Sequence, residues 1–210
     1  MLGSHRPDVA GRVRRFIAVA EACRALLAGQ EVTLDGPEAY ARAARLDAPR
    51  PVRDRVPFTF GGGNSALLRW ATRHADTVGL SGLGRTLEDG HRHEARWRTE
   101  DVDRQVELVE RAAAGRENGP VREALVQVVE VTDDAEAAAH RFAEQVGCTV
   151  RDVLAAPYAW IGTEEEIAAA LAEYERRWGI THYVVREPAL DAAERLLARL
   201  RRPPAGGSGR

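Results

Sequence analysis

The sequence predicts an α/β protein built on a parallel sheet, and three observations lead there. From Phe58 onward, short strand-like runs alternate with segments whose apolar side chains recur every three or four residues. Glycine, proline and capping residues punctuate the boundaries between them. Such alternation implies parallel pairing through helical crossovers, because parallel strands cannot be joined by tight hairpins. Four strand–helix units stand out, fewer than the eight of a closed barrel and compatible also with a small doubly wound sheet.

The chain begins with an amphipathic helix over 7–28, apolar at Val9, Val13, Phe16, Ile17, Ala20, Cys23, Leu26 and Leu27, and Gly29 ends it. A long polar connection follows, broken by Pro37, Pro49, Pro51 and Pro57, with Val32 to Leu34 as a short strand. Phe58 to Phe60 then predicts a strand and Ser65 to His74 a helix with Leu67, Leu68 and Ala71 inward. Thr77 to Leu80 is the second strand, followed by a polar loop to Arg98 and a helix over 99–114. Leu125 to Val131 is the third, with Thr132 and Asp133 capping a helix that runs to Val146. A short helix spans Val150 to Leu154, and Thr163 with Glu166 makes a capping box for a helix ending near Gly179. Thr181 to Val185 is the last strand, and Pro188 opens the closing helix.

The 210 residues, 44% apolar and 30% charged, suit one soluble domain over 1–202, with a disordered tail over 203–210. A formal charge of −2 without a basic block points away from nucleic acid. All 30 basic residues are arginine, which excludes a lysine Schiff base and a Walker-type lysine. Cys23 and Cys148 lack metal spacing, and no apolar run is long enough to span a bilayer, so a reduced, cytoplasmic setting is expected.

Chemistry concentrates where Phe60 runs into Gly61, Gly62 and Gly63 and a helix begins at Asn64-Ser65. Bare backbone and a helix N-terminus favour an anion such as phosphate; the same glycines would also serve as a plain tight turn. After the next strand come Ser81, Gly82, Gly84 and Arg85, leaving the same edge of a parallel sheet, so Ser81 and Arg85 could face the same anion. For Arg85 the alternative is a solvated loop charge. His91-Arg92-His93-Glu94 has no obvious third ligand nearby and reads as a polar insert, not a metal site. No catalytic constellation can be assembled from the residues alone.

Phe60-Gly61-Gly62-Gly63, then Leu67-Leu68-Arg69-Trp70-Ala71-Thr72-Arg73-His74-Ala75-Asp76 and Val78-Gly79-Leu80, resemble a landmark of the luciferase-like monooxygenases. Val129 to Asp134, Pro157 to Ile167 and Trp178 to Val185 resemble the later landmarks in the same order. The resemblance is to the coenzyme F420 (deazaflavin) dependent branch, and the FMN branch shares the same segments. It implies the C-terminal half of a (β/α)8 TIM barrel, an oxidoreductase passing hydride to or from a small organic substrate, with F420 or alternatively FMN as cofactor. By position it carries the phosphate end of the cofactor to Gly61, Gly62, Gly63, Asn64 and Ser81, with Arg85 near a cationic position. The family's first strand–helix units have no counterpart after Met1, so the expectation is a truncated enzyme, a non-catalytic flavin- or deazaflavin-binding module, or an FMN monooxygenase fragment. Catalytic residues stay unassigned. A homo-oligomer or a complementing N-terminal half-barrel is the expected partner, since an open half-barrel leaves strand edges and an apolar face uncovered. Sedimentation of the purified chain is expected to show dimers or aggregates; a stable compact monomer would contradict this.

Overall fold

The computed structural model describes residues 8–37, 39–53, 55–87 and 93–200. The fold divides into two compact units, Met1–Phe58 and Thr59–Arg210, where the sequence suggests a single domain. The tail over 203–210, together with His91 and Arg92, lies outside the described residues.

In the first unit, helix α1 (Val9–Leu27) starts at Asp8, whose carboxylate accepts the Gly11 amide at 2.6 Å. The connection after it is more ordered than its prolines suggest. Strand β1 (Val32–Asp35) pairs antiparallel with β2 (Tyr40–Ala44), turning the predicted lone strand into a hairpin.

The second unit carries the parallel sheet. Strand β3 (Thr59–Gly61) leads to helix α2 (Ser65–His74), and β4 (Thr77–Leu80) follows. An antiparallel hairpin, β5 (Leu83–Thr86) and β6 (His93–Ala95), precedes helix α3 (Thr99–Ala113). The third strand reads as two, β7 (Val121–Val126) and β8 (Val128–Val131), followed by α4 (Ala135–Val146) and α5 (Val150–Ala155). Strand β9 (Ala159–Gly162), helix α6 (Glu164–Trp178), strand β10 (Ile180–Val185) and helix α7 (Leu190–Leu200) complete it.

The sheet order is β3-β4-β7-β10, all parallel and in chain order, with β9 alongside β8. A doubly wound sheet reverses its order part-way to place helices on both faces. No reversal occurs here, and right-handed crossovers running one way keep their helices on one side. Phe60, Val78, Leu80 and Ala124 face the helix layer, where Leu68, Ala71, Val102, Val106 and Val109 close the core. A second cluster gathers Val126, Trp160, Ile167, Ala193 and Leu196 under α7.

Local chemistry sets the boundaries. The capping box at Thr163 and Glu166 forms as the sequence predicts, and Gly179 closes α6 in the left-handed region. The predicted cap of α4 shifts by a residue. Asp134 accepts the Ala137 amide, and Thr132 accepts the Asp134 amide from outside the helix. Pro188 sits in a 3-10 turn over Glu187–Ala189 instead of opening α7.

Guanidinium groups tie the helix ends to the sheet. Arg122 of β7 donates to the Trp178 carbonyl at 2.7 Å, and Arg116 donates to the carbonyls of Thr72, in the last turn of α2, and Ala75, just past its end. Between α3 and α6, Asp103 accepts from Arg177 at 3.1 and 2.8 Å and from the Trp178 indole at 2.8 Å. The hydrogen bonds from Arg177 are the main reason the Asp103 carboxyl is held below the usual carboxylate range, with the Trp178 bond adding to them against desolvation.

A folded pKa below the unfolded one means stability that is present above the unfolded value and lost as pH falls through the folded value. Replacing Asp103 with Ala is expected to cost about 1–3 kcal/mol by stranding the Trp178 indole N–H, and Asp103→Asn less. In thermal melts, the gap between wild type and Asp103→Asn should narrow as pH is lowered below about 4.

Candidate functional site

The candidate rim is built where β3 and β4 end side by side. Their parallel register pairs Thr59 with Thr77, Phe60 with Val78 and Gly61 with Gly79, so the loops that follow leave the same edge. Gly63 then meets the second loop directly. A Cβ placed on Gly63 would lie 1.9 Å from the Leu83 carbonyl oxygen. The two glycine-bearing loops therefore form one continuous surface, with Gly61 to Asn64 on one side and Ser81 to Gly84 on the other.

Each glycine is required by the chain's own packing. A Cβ on Gly61 would stand 2.8 Å from the Gly79 carbonyl, and Gly62 adopts φ +148°, which side chains rarely tolerate. The Gly62 amide donates to the Gly79 carbonyl at 3.3 Å. Tight turn and bare rim are thus the same structure.

Asn64 is the N-cap of α2. Its side-chain oxygen accepts the amides of Ala66 at 2.9 Å and Leu67 at 3.1 Å. An anion at this helix end competes with Asn64 for those two donors, so the amides open to a ligand lie further forward, from Gly63 to Ser65. Ser81 is half-buried, and its hydroxyl oxygen accepts the Leu83 amide at 3.4 Å, a long bond within its own turn. Arg85 lies on strand β5 of the hairpin, not on an open loop, and is exposed. The structure thus joins Gly61, Gly62, Gly63 and Asn64 to the Ser81 loop and sets Arg85 on the hairpin that continues it.

Three features of this region escape sequence reasoning. Gly82 sits at φ +65° directly on the rings of Tyr158 and Trp97. Both rings are buried, and neither the Trp97 Nε1 nor the Tyr158 hydroxyl has a hydrogen-bond partner. Burial, and next the charge of Asp101, push the Tyr158 phenol well above its ordinary range. Finally, register places Gly61, Gly79, Glu123 and His182 in one row across the sheet, with Glu123 Oε1 3.6 Å from a Cβ built on Gly79. None of the three was legible in the sequence, where Glu123 precedes the run that reads as the third strand and nothing local fixes the register between strands.

Further out, a cleft of ≈ 890 Å³ opens between β6, the start of α3 and the α4–α5 junction, lined by Arg96, Arg98, Asp101, Arg104 and Cys148 among others. Desolvation, with Asp152 nearby, raises the Cys148 thiol. The rim residues do not line this cleft. Among the described residues, no three His, Cys, Asp or Glu side chains gather to hold a metal ion. Among them too, no helix is long and apolar enough to cross a membrane.

With this geometry in place, solved structures supply the comparison. A coenzyme F420 dependent tetrahydromethanopterin reductase from Methanopyrus kandleri superposes with a TM-score of 0.64 at 15% identity, over 88% of this chain and 61% of that one. Long-chain alkane monooxygenase (LadA) gives 0.61 at 13%, over 95% and 58%. EDTA monooxygenase (EmoA) from Chelativorans sp. BNC1 gives 0.62 at 14%, over 94% and 62%. The chain has the fold of these oxidoreductases. They are proteins of the luciferase-like monooxygenase fold, and the chain spans less than two thirds of the length of each. No family model matches the sequence, and no curated protein matches it either.

A Cβ at Gly63 would collide with main chain on the facing loop, which cannot swing aside as a side chain can. Gly63→Ala is therefore expected to destabilise the protein by about 1–3 kcal/mol, and Asn64→Ala by ~1 kcal/mol through loss of the cap. Thermal or denaturant unfolding measures both.

Proposed function

We propose that this chain is the phosphate-holding part of a luciferase-like oxidoreductase, and that the rim binds the phosphate of a flavin-type cofactor, coenzyme F420 or FMN. The observation that carries the reading is the Gly63–Leu83 contact, which merges two loops at the C-terminal edge of a parallel sheet. Ligands of parallel α/β folds bind at that edge. The fold likeness adds support, since the neighbours include an F420-dependent secondary alcohol dehydrogenase and a riboflavin lyase solved with modified FMN. The sheet order in turn supports a segment of a (β/α)8 wall, which further strands would complete.

The residues fit a phosphate. Forward amides from Gly63 to Ser65, the positive end of α2, the hydroxyls of Ser65 and Ser81 and the Arg85 guanidinium offer donors. Two carboxylates stand at the margin, Glu94 beside Gly84, where it pairs with Arg96 at 3.9 Å, and Glu123 beside Gly79. Asn64 keeps its cap on the Ala66 and Leu67 amides, which leaves the amides ahead of it for the anion. When bound, such a cofactor supplies hydride or oxygen chemistry on a small organic substrate; the chain's own part is to hold the charged tail and fix its direction.

Titration with F420 and with FMN tests this. Binding of one at micromolar concentration is expected, weakened about two- to fivefold by Arg85→Ala, the range of an exposed charge interaction. Absence of binding by both cofactors would overturn the assignment.

A further inference from the structure

Two buried donors without partners lie next to the proposed phosphate loop. Trp97 is 2% exposed and Tyr158 0%, yet the indole Nε1 and the phenol oxygen make no hydrogen bond. Native structures leave few buried polar groups unpaired, and each such group costs free energy that an apolar side chain of the same shape would not. Here both sit against one residue. A Cβ on Gly82 would lie 2.7 Å from Trp97 Nε1 and 2.6 Å from the Tyr158 ring, and the two ring centroids are 5.6 Å apart. The Gly82 carbonyl accepts the Arg96 amide at 2.8 Å, which fixes the loop from the hairpin side. The Gly82 amide faces the Tyr158 hydroxyl but falls short of hydrogen-bond geometry. Ser81, one residue earlier, holds the Leu83 amide only at 3.4 Å. The loop is thus anchored by rings beneath it and loosely bonded along its own length.

We propose that Trp97 and Tyr158 are positioning residues of the phosphate loop, whose N–H and O–H groups gain partners when a phosphate draws the Ser81–Gly82 peptide into its bound form, with Leu83 held in place against Gly63. This rests on the rim being a phosphate site. The aromatic rings set the height of the loop through Gly82. The unpaired polar atoms make the ligand-free arrangement the less satisfied of the two, so part of the binding free energy comes from pairing them.

The test uses Tyr158→Phe, which keeps the ring and removes only the hydroxyl, with Trp97→Phe as the second variant. Affinity for F420 and FMN and the thermal midpoint are measured on wild type and both variants. Tyr158→Phe is expected to hold or raise Tm, because an unpaired buried group is gone, while weakening cofactor binding about tenfold, the size of one lost hydrogen bond. Trp97→Phe is expected to weaken binding to a similar degree. A Tyr158→Phe affinity within twofold of wild type, or a loss that comes with a fall in Tm, overturns this inference and leaves the phosphate site standing. Wild type binding neither cofactor overturns both together.

Discussion

Main chain meets main chain at Gly63 and Leu83, and the geometry of the sheet edge depends on that contact. Parallel pairing of β3 with β4 brings Gly61 and Gly79 level. A side chain at Gly61 would strike the Gly79 carbonyl, and one at Gly63 the Leu83 carbonyl. The strands and their loops can approach this closely only because no Cβ intervenes. The result is a rim of backbone and short hydroxyl side chains, with the start of α2 behind it and the Trp97–Tyr158 pair beneath the second loop.

The helix layer is fastened by a different means. Arg116, Arg122 and Arg177 each reach another element, the first two donating to carbonyls at or beyond helix ends and the third to Asp103. A planar guanidinium can serve two acceptors at once, as Arg122 does by also pairing with Glu110 at 3.1 Å. A chain whose cations are all arginine therefore gains rigid ties where lysine would give single, mobile contacts. Tyr174 adds a buried tie of its own, donating to the Ala156 carbonyl at 3.0 Å while stacked on Trp178.

Elements with a strong period were legible in the sequence. Helix α2 and strand β4 have the bounds that periodicity predicts, and the Thr163–Glu166 box starts α6 as its spacing requires. The hairpins were not. In β5 and β6 the segments around Arg85-Thr86 and His93-Glu94 are polar and largely exposed, so no alternation of apolar with polar residues marks them. The opening of β7 was hidden by Arg122 and Glu123, charged residues that a strand accepts because one reaches a helix end and the other lies in the row with Gly79. Strand β9 lies in a continuously buried run, Tyr158 to Gly162, that periodicity alone cannot assign.

The sequence by itself determined the class of fold, the number of strands in the main sheet and the two loops worth watching. Those follow from local periodicity, propensity and capping, which act over a few residues. Only the tertiary structure decided the direction in which the strands succeed one another, the use of Asn64 as a helix cap, the seat of Arg85 on a hairpin, and the stacking of Gly82 on Trp97 and Tyr158. Each of these joins residues distant in the chain or chooses between partners for one polar group. Such choices are fixed by packing and by competition for hydrogen bonds, and neither is written in any single stretch of sequence.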